Sequence, residues 1–279
     1  MKKPDIKELL EVGAHFGHLT RKWNPNMAPY IYGQKNKIHI INLQKTAAKI
    51  EDAQKFLKNL AKTGRKILYV STKKQAKDII AKKAQDVKMP YIAERWPGGM
   101  LTNFITIRKA VKKMANIDKM KSDGTYDTLS KKEKLHLDRL RAKLEKNLGS
   151  IADMTRLPAA LIIVDINKEH VAVKEAIKLG IPVVAIVDTN ADPRPITFPV
   201  PANDDASKSI ELILEYLTDA IREGLEERKL LKHKAEEEKA AQAEPEAGEK
   251  SETKEETNDE VKEEAKEEAT VEDKNEENQ

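Results

Sequence analysis

Carboxylates and histidines occupy positions where a parallel sheet could bind a metal ion. The carboxylates near the ends of predicted strands are Asp165, Asp188, Asp192, Asp204 and Asp205. His15 and His18 lie on an earlier segment that could approach them. One histidine with two or three carboxylates can hold a divalent ion such as hydrated magnesium or zinc. The candidate ligands are His18, Asp188, Asp204 and Asp205. Aspartates at strand ends also cap helices and turns, so the pattern commits us to no metal or cofactor.

Catalytic motifs are missing from the sequence. It contains no cysteine, no Walker loop, no GxSxG and no HExxH. After the predicted strand at residues 67–71 the turn reads TKKQAKD, where a dinucleotide-binding enzyme has a glycine-rich loop. Ser71 or Thr72 is expected to cap the next helix, and Lys73, Lys74 and Lys77 to attract phosphate. We expect no enzyme; the alternative is a doubly wound enzyme acting on a nucleotide or sugar phosphate.

Cations and aromatic residues alternate in an early segment of the chain. Arg21, Lys22, Lys35 and Lys37 are interleaved there with aromatic side chains. The aromatic residues are Trp23, Tyr30 and Tyr32. Such a mixture can neutralise phosphates and stack on exposed bases, which favours contact with RNA. The alternative is that the aromatic residues cover a sheet edge and the cations are only solvated.

Residues 95–103 read RWPGGMLTN and form the sharpest local motif. Gly98 and Gly99 let the backbone approach a ligand or another chain closely. Arg95 and Trp96 add a charge and a stacking plane beside them. A plain sharp turn before a helix would need the same glycines, so both interpretations stay open.

The elements that position these residues belong to an α/β fold. Residues 159–164 and 182–187 are continuous apolar runs separated by a helical pattern, which predicts two parallel strands buried on both faces. Further strands are expected at 37–43, 67–71, 91–92 and, as an edge, 196–200. Further helices are expected at 5–12, 46–61 and 207–231.

A helical hairpin is expected within residues 101–151. Apolar residues recur there at steps of three and four in two runs, 101–120 and 137–151. Ser130 and Glu133 form a capping box for the second helix. The pattern predicts an antiparallel coiled coil that is inserted into the domain and projects from it. The alternative is that both helices simply flank the sheet.

Charge divides the chain into two parts. Residues 1–231 carry a net charge of +15 and residues 232–279 a net charge of −11. A body this basic is expected to bind a polyanion, either nucleic acid or an anionic membrane, and the Glu- and Lys-rich tail at 232–279 is expected to be disordered. Shielding of the body by the tail is one hypothesis for its role. No apolar segment predicts a leader or a membrane span, so a soluble cytoplasmic protein is expected.

Four runs resemble one protein family. Residues 9–46, 94–107, 168–193 and 203–210 are similar to the bacterial family of the second protein of the small ribosomal subunit. The resemblance implies a flavodoxin-like parallel sheet flanked by helices, with a protruding hairpin and no catalysis. It also implies docking on small-subunit rRNA near the junction of head and body, beside neighbouring ribosomal proteins. Recruitment of the first, mRNA-binding ribosomal protein is implied too, with no membrane and no small-molecule substrate.

The resemblance also assigns a surface that faces RNA or neighbouring proteins. Its residues are His15, His18, Arg21, Lys22, Trp23, Asn24, Lys35, Lys37, Arg95, Trp96, Gly98, Gly99, Thr102, Asn103 and Arg108.

Overall fold

A computed structural model describes residues 2–243, with only the backbone described at 232 and 234–243. The chain divides into two units, the first ending at Arg228 and the second beginning at Lys229. Among the described residues, no helix is both long enough and apolar enough to cross a bilayer.

The first unit contains a five-stranded parallel sheet. Its strands are β4 (Ile67–Val70), β5 (Tyr91–Ile92), β6 (Ala160–Val164), β7 (Val183–Val187) and β8 (Phe198–Pro201). They pair in the order β5-β4-β6-β7-β8, all parallel. Numbered from the first strand of this sheet, the order is 2-1-3-4-5, the flavodoxin-like arrangement. The fold class expected from the sequence is therefore confirmed, with the proline-flanked strand at one edge.

Helices cover both faces of this sheet. They are α1 (Ile6–Glu11), α2 (Leu43–Lys62), α3 (Lys74–Asp86), α4 (Phe104–Ser122), α5 (Lys131–Leu148), α6 (His170–Lys178) and α7 (Ser207–Ala243). Alternate residues of each strand enter opposite cores: Ile162 packs with α2, α3 and α7, whereas Leu161 and Ile163 pack with α6 and the base of α4. Continuous apolar strands are required because both faces are buried.

A second, antiparallel sheet precedes α2. It consists of β1 (Phe16–Leu19), β3 (Ile38–Ile41) and β2 (Ile31–Lys35), paired in that order. We call residues 16–41, which contain these three strands and their connections, the ribbon. Asn36 and Lys37 take positive φ values of 50° and 63° in the tight turn between β2 and β3. The sequence predicted only the strand at 37–43, because β1 and β2 lack a clear alternating pattern.

The helices α4 and α5 form an antiparallel pair, which we call the hairpin. Asp118 pairs with Arg141 and Lys121 with Asp138, so α4 and α5 run in opposite directions. The predicted capping box at Ser130 and Glu133 is present. Supercoiling of the pair and its projection from the body stay predictions.

The final helix continues beyond its predicted end. Disorder was expected from residue 232, but α7 extends to Ala243. Lys, Glu and Ala favour helix even without an apolar face, which accounts for the extension of α7 into the predicted tail. Residues 244–279, where the rest of the predicted tail falls, lie outside the described residues.

Candidate nucleic-acid interface and strand-end cluster

A charged cluster lies at the carboxyl ends of the parallel strands, centred on a lysine. The Lys73 ammonium nitrogen is 2.7 Å from Asp204, 2.7 Å from Asp205 and 3.3 Å from Asp165. Lys73 and Asp204 are buried. We call Lys73, Asp165, Asp204 and Asp205, together with His18 and Asp188, the strand-end cluster. Strand ends converge at one edge of a parallel sheet, which is why acids distant in sequence meet here.

His18 links the ribbon to this cluster. Its Nδ1 lies 3.0 Å from an Asp188 carboxylate oxygen and its Nε2 lies 3.4 Å from Asp205. The His18 amide donates to the Thr189 hydroxyl at 2.8 Å, and the Asn24 amide donates to the Thr189 carbonyl at 2.8 Å. The ribbon is therefore held against the end of β7 by side-chain and backbone bonds together.

Burial and neighbouring charge shift the pKa values of the cluster. Burial, followed by the negative charges of Asp188 and Asp165, raises the pKa of Asp204 to about 7. The hydrogen bond to Asp188 raises the pKa of His18. Burial of Lys73 opposes its charged form, but bonds to Asp204 and Asp205 outweigh this and raise its pKa. Lys73 is thus a permanent internal cation that compensates the carboxylates.

The candidate metal ligands do meet, as the sequence suggested. Donor atoms of His18, Asp188 and Asp204 lie within 4.8 Å of one another, and Asp205 reaches the same histidine. However, the Lys73 ammonium already bonds two of these carboxylates directly. Because the Lys73 ammonium already compensates this charge, the donor set does not fit a resident metal ion.

The turn before α3 differs from its prediction. Lys73 was expected to attract phosphate, but its side chain is buried among carboxylates. Neither Ser71 nor Thr72 is the N-cap; Lys73 holds that position and makes no side-chain cap. Thr72 instead donates its amide and hydroxyl to Glu169 at 2.6 Å each.

The ribbon presents cations beside exposed aromatic rings. Arg21, Lys22, Lys35 and Lys37 are exposed and form no ion pair with any side chain that the structure describes. Tyr32 is 78% exposed. The partly exposed Trp23 ring lies 5.1 Å from the buried His39 ring. The arrangement provides positive charge and stacking surface on the same element. It can bind a flexible polyanion whose bases are accessible.

Two other ribbon-side residues have structural partners. The Asn24 side chain accepts the Asn26 amide at 2.9 Å and caps a short 3-10 helix. The His15 ring lies 4.0 Å from the Phe16 ring, and burial lowers the pKa of His15.

The loop at 95–103 wraps around a carboxylate of the same chain. Glu175, on α6, is buried and accepts the Trp96 ring N–H at 3.1 Å. It also accepts the amides of Gly99 (2.9 Å), Leu101 (2.9 Å) and Thr102 (3.1 Å). The group that the Gly99 backbone approaches is therefore a carboxylate of the same chain. Trp96 is only 8% exposed, so its predicted role as a stacking plane is wrong.

The other residues of this motif have different surroundings. Arg95 and Gly98 are exposed. Position 99 favours glycine because its φ of +82° lies in the left-handed region. The Asn103 side chain accepts the Thr106 hydroxyl at 2.8 Å. The Arg108 guanidinium donates to the carbonyls of Ala152 and Met154 at 3.4 and 3.0 Å.

Comparison with known proteins identifies the family. A family model described as ribosomal protein S2 matches residues 9–224. This chain belongs to the ribosomal protein S2 family. A relative named small ribosomal subunit protein uS2, from Flavobacterium johnsoniae, is 67% identical over 250 residues, which cover 90% of this chain and 98% of that protein. Proteins of the same name from Phocaeicola vulgatus and Porphyromonas gingivalis are 61% and 64% identical, covering 91% and 82% of this chain and 90% and 82% of theirs.

Membership of the S2 family makes the chain a structural ribosomal protein that serves translation, and not an enzyme. The resemblance read from the four sequence runs is thereby confirmed. The strand-end cluster has a structural explanation consistent with this family: it joins the ribbon to the sheet.

Sequence reasoning missed Glu175 and the central place of Lys73. Glu175 stands on the buried face of α6, beside the buried Ala172 and Ala176. A glutamate at a buried position of a helix is a signal that could have revealed it, since buried carboxylates require partners. Lys73 gave no such signal, because it stands among other lysines in TKKQAKD.

Proposed function

We propose that this S2-family chain binds small-subunit rRNA near the junction of head and body and helps to recruit the first, mRNA-binding ribosomal protein. The location and the recruitment are supported by the family resemblance. In this proposal the protein works in cytoplasmic ribosomes, beside neighbouring small-subunit proteins, and needs neither a membrane nor a small-molecule substrate.

The observation that carries RNA binding is the set of unpaired cations on the ribbon. Arg21, Lys22, Lys35 and Lys37 have no carboxylate partner among the described residues, and the exposed ring of Tyr32 lies on the same element. Solvated cations that no acid neutralises are free to replace the counterions of phosphates, which makes association favourable and salt-dependent.

The hairpin supplies a second group of cations. Its acids Asp118 and Asp138 are used in ion pairs between its own helices. Exposed hairpin cations without an ion pair, within the described part of the chain, are Lys109, Lys112, Lys113, Lys119, Lys131, Lys132, Arg139 and Lys143. The hairpin therefore offers excess positive charge to RNA, whereas Arg108 contacts protein carbonyls.

Charge reversal on the ribbon tests the RNA contact. The variant Arg21→Glu/Lys22→Glu/Lys35→Glu should weaken binding to small-subunit rRNA and lower the slope of log K against log salt by about three. The control Lys55→Glu/Lys82→Glu/Lys178→Glu has the same net charge but changes exposed cations on α2, α3 and α6. If both variants lose affinity equally, the ribbon is not a specific contact surface.

Sedimentation tests the assignment in the cell. Nearly all of the protein should travel with small-subunit fractions of a lysate, and the ribbon variant should shift toward free protein. Subunits that lack this chain should also hold less of the first ribosomal protein. Wild-type protein found mainly at the top of the gradient would contradict the proposed function.

A further inference from the structure

The hairpin is attached to the sheet domain at two points, one on each side of its base. The first is Glu175, whose carboxylate holds the loop that leads into α4. Five donors converge on it: the Trp96 ring N–H, three backbone amides of residues 99–102 and the Thr102 hydroxyl. Because Glu175 belongs to α6, these bonds fix the entry of the hairpin to a helix that packs on the sheet.

The second attachment joins the two helices at their base. Arg108, in the second turn of α4, donates to the carbonyls of Ala152 and Met154, which follow α5. Val111 of α4 and Leu148 of α5 are buried in the same hydrophobic cluster, which also contains Met154. The entry and the exit of the hairpin are therefore tied together as well as to the domain.

The first attachment depends on a charge. A carboxylate accepts at both oxygens, and all five groups around Glu175 are donors. Burial disfavours its charged form, but the bonds from Trp96, Leu101, Thr102 and Gly99 outweigh burial and lower its pKa. A glutamine would place an NH₂ group against these donors, leaving some of them without an acceptor.

We propose that Glu175 and Arg108 are positioning residues, which fix the direction of the hairpin and so place its cations on rRNA. The proposal rests on the proposed function for its consequence, but the positioning itself is a property of the free protein. In this proposal Glu175 acts through the loop at 96–102, and Arg108, which the family resemblance assigned to the RNA-facing surface, acts through two protein carbonyls.

The hairpin is long enough to amplify a small movement at its base. Helix α4 has 19 residues, and at 1.5 Å per residue it is about 28 Å long. A rotation of about 10° at the base would displace the tip by about 5 Å, which exceeds the tolerance of a phosphate contact.

Distance measurements between two spin labels test the proposal on the full chain. Since the sequence has no cysteine, Asp123→Cys at the hairpin tip and Lys55→Cys on α2 accept labels uniquely. Glu175→Gln and Arg108→Met should each broaden the distance distribution by about 5 Å while the melting temperature shows a folded protein. Glu211→Gln, an exposed carboxylate on α7, is the control and should keep the wild-type width.

Each outcome decides the proposal. Folded variants with the wild-type width overturn it. If Glu175→Gln does not fold, Arg108→Met tests the second attachment by itself, and a wild-type width in that folded variant overturns the proposal equally. Broadened distances with unchanged incorporation into small subunits overturn the link to RNA. Failure of the wild-type chain to bind rRNA would instead contradict the proposed function.

Discussion

Replacement of Lys73 by methionine should destabilise the fold. Methionine keeps much of the side-chain volume but removes the ammonium that bonds Asp204, Asp205 and Asp165. The bond to Asp204 matters most, because Asp204 is only 2% exposed. Asp205 is 56% exposed at its side chain, so its pairing with Lys73 contributes little after solvent screening.

The expected loss follows from the buried pair. Removing one partner of a buried ion pair costs about 3–5 kcal/mol, because the other charge remains without compensation. For a domain of this size that corresponds to a fall of roughly 6–20 °C in Tm. The exposed neighbour gives a matched control: Lys74→Met should change the free energy of unfolding by less than about 0.5 kcal/mol.

The loss should depend on pH. Burial and neighbouring acids raise the pKa of Asp204 to about 7, above its ordinary value of 3.8. A raised pKa means that the folded state favours the protonated form of Asp204. The stabilisation that protonated Asp204 gives the fold is therefore present at low pH and is lost as pH rises through about 7. Without Lys73 the ionised Asp204 loses its ammonium partner, and His18, which pairs with Asp188 and Asp205, gives up its own charge as pH rises, so the variant should lose more stability at pH 8 than at pH 5.

Urea unfolding measures this prediction. Fluorescence of the two tryptophans and far-ultraviolet circular dichroism, recorded at both pH values, give the free energy of unfolding. A Lys73→Met protein that is as stable as the wild type at pH 8 would refute the structural role. If the same variant bound rRNA more weakly, Lys73 would be the phosphate ligand that its sequence context suggested.

Three further predictions concern packing and titration. Gly17→Ala should loosen the ribbon, since a Cβ there would lie 2.6 Å from the Thr189 side chain, and amide hydrogen exchange in residues 16–41 should become faster. Gly33→Ala is the control: a Cβ at Gly33 has no atom within 4 Å, so exchange should stay at the wild-type rate. Gly224→Ala should cost about 1–3 kcal/mol in urea unfolding because its Cβ would lie 2.5 Å from the Lys58 carbonyl; a neutral result would mean that α2 and α7 can separate freely. His18→Gln should cost more stability at pH 5.5 than at pH 8.5. The hydrogen bond to Asp188 raises the pKa of His18, so the stabilisation from protonated His18 is lost as pH rises through the pKa of the folded state. Equal losses in the free energy of unfolding at the two pH values would refute this prediction.

Local sequence patterns determined most of the architecture. Continuous apolar runs predicted β6 and β7 as buried parallel strands, and both occupy the middle of the sheet. The capping box at Ser130 and Glu133 marked the start of α5 within one residue. These features depend on interactions between residues close in sequence or on burial of both strand faces, so the sequence alone expresses them.

Only the tertiary structure decided which side chains far apart in sequence bond to one another. Lys73 bonds Asp204, 131 residues away, and Trp96 bonds Glu175, 79 residues away. A lysine beside other lysines, or a tryptophan beside glycines, has the same local pattern whether it faces solvent, RNA or a buried carboxylate. The parallel sheet brings distant strand ends and helix faces together, and that juxtaposition determines which charges are buried and which remain free to bind RNA.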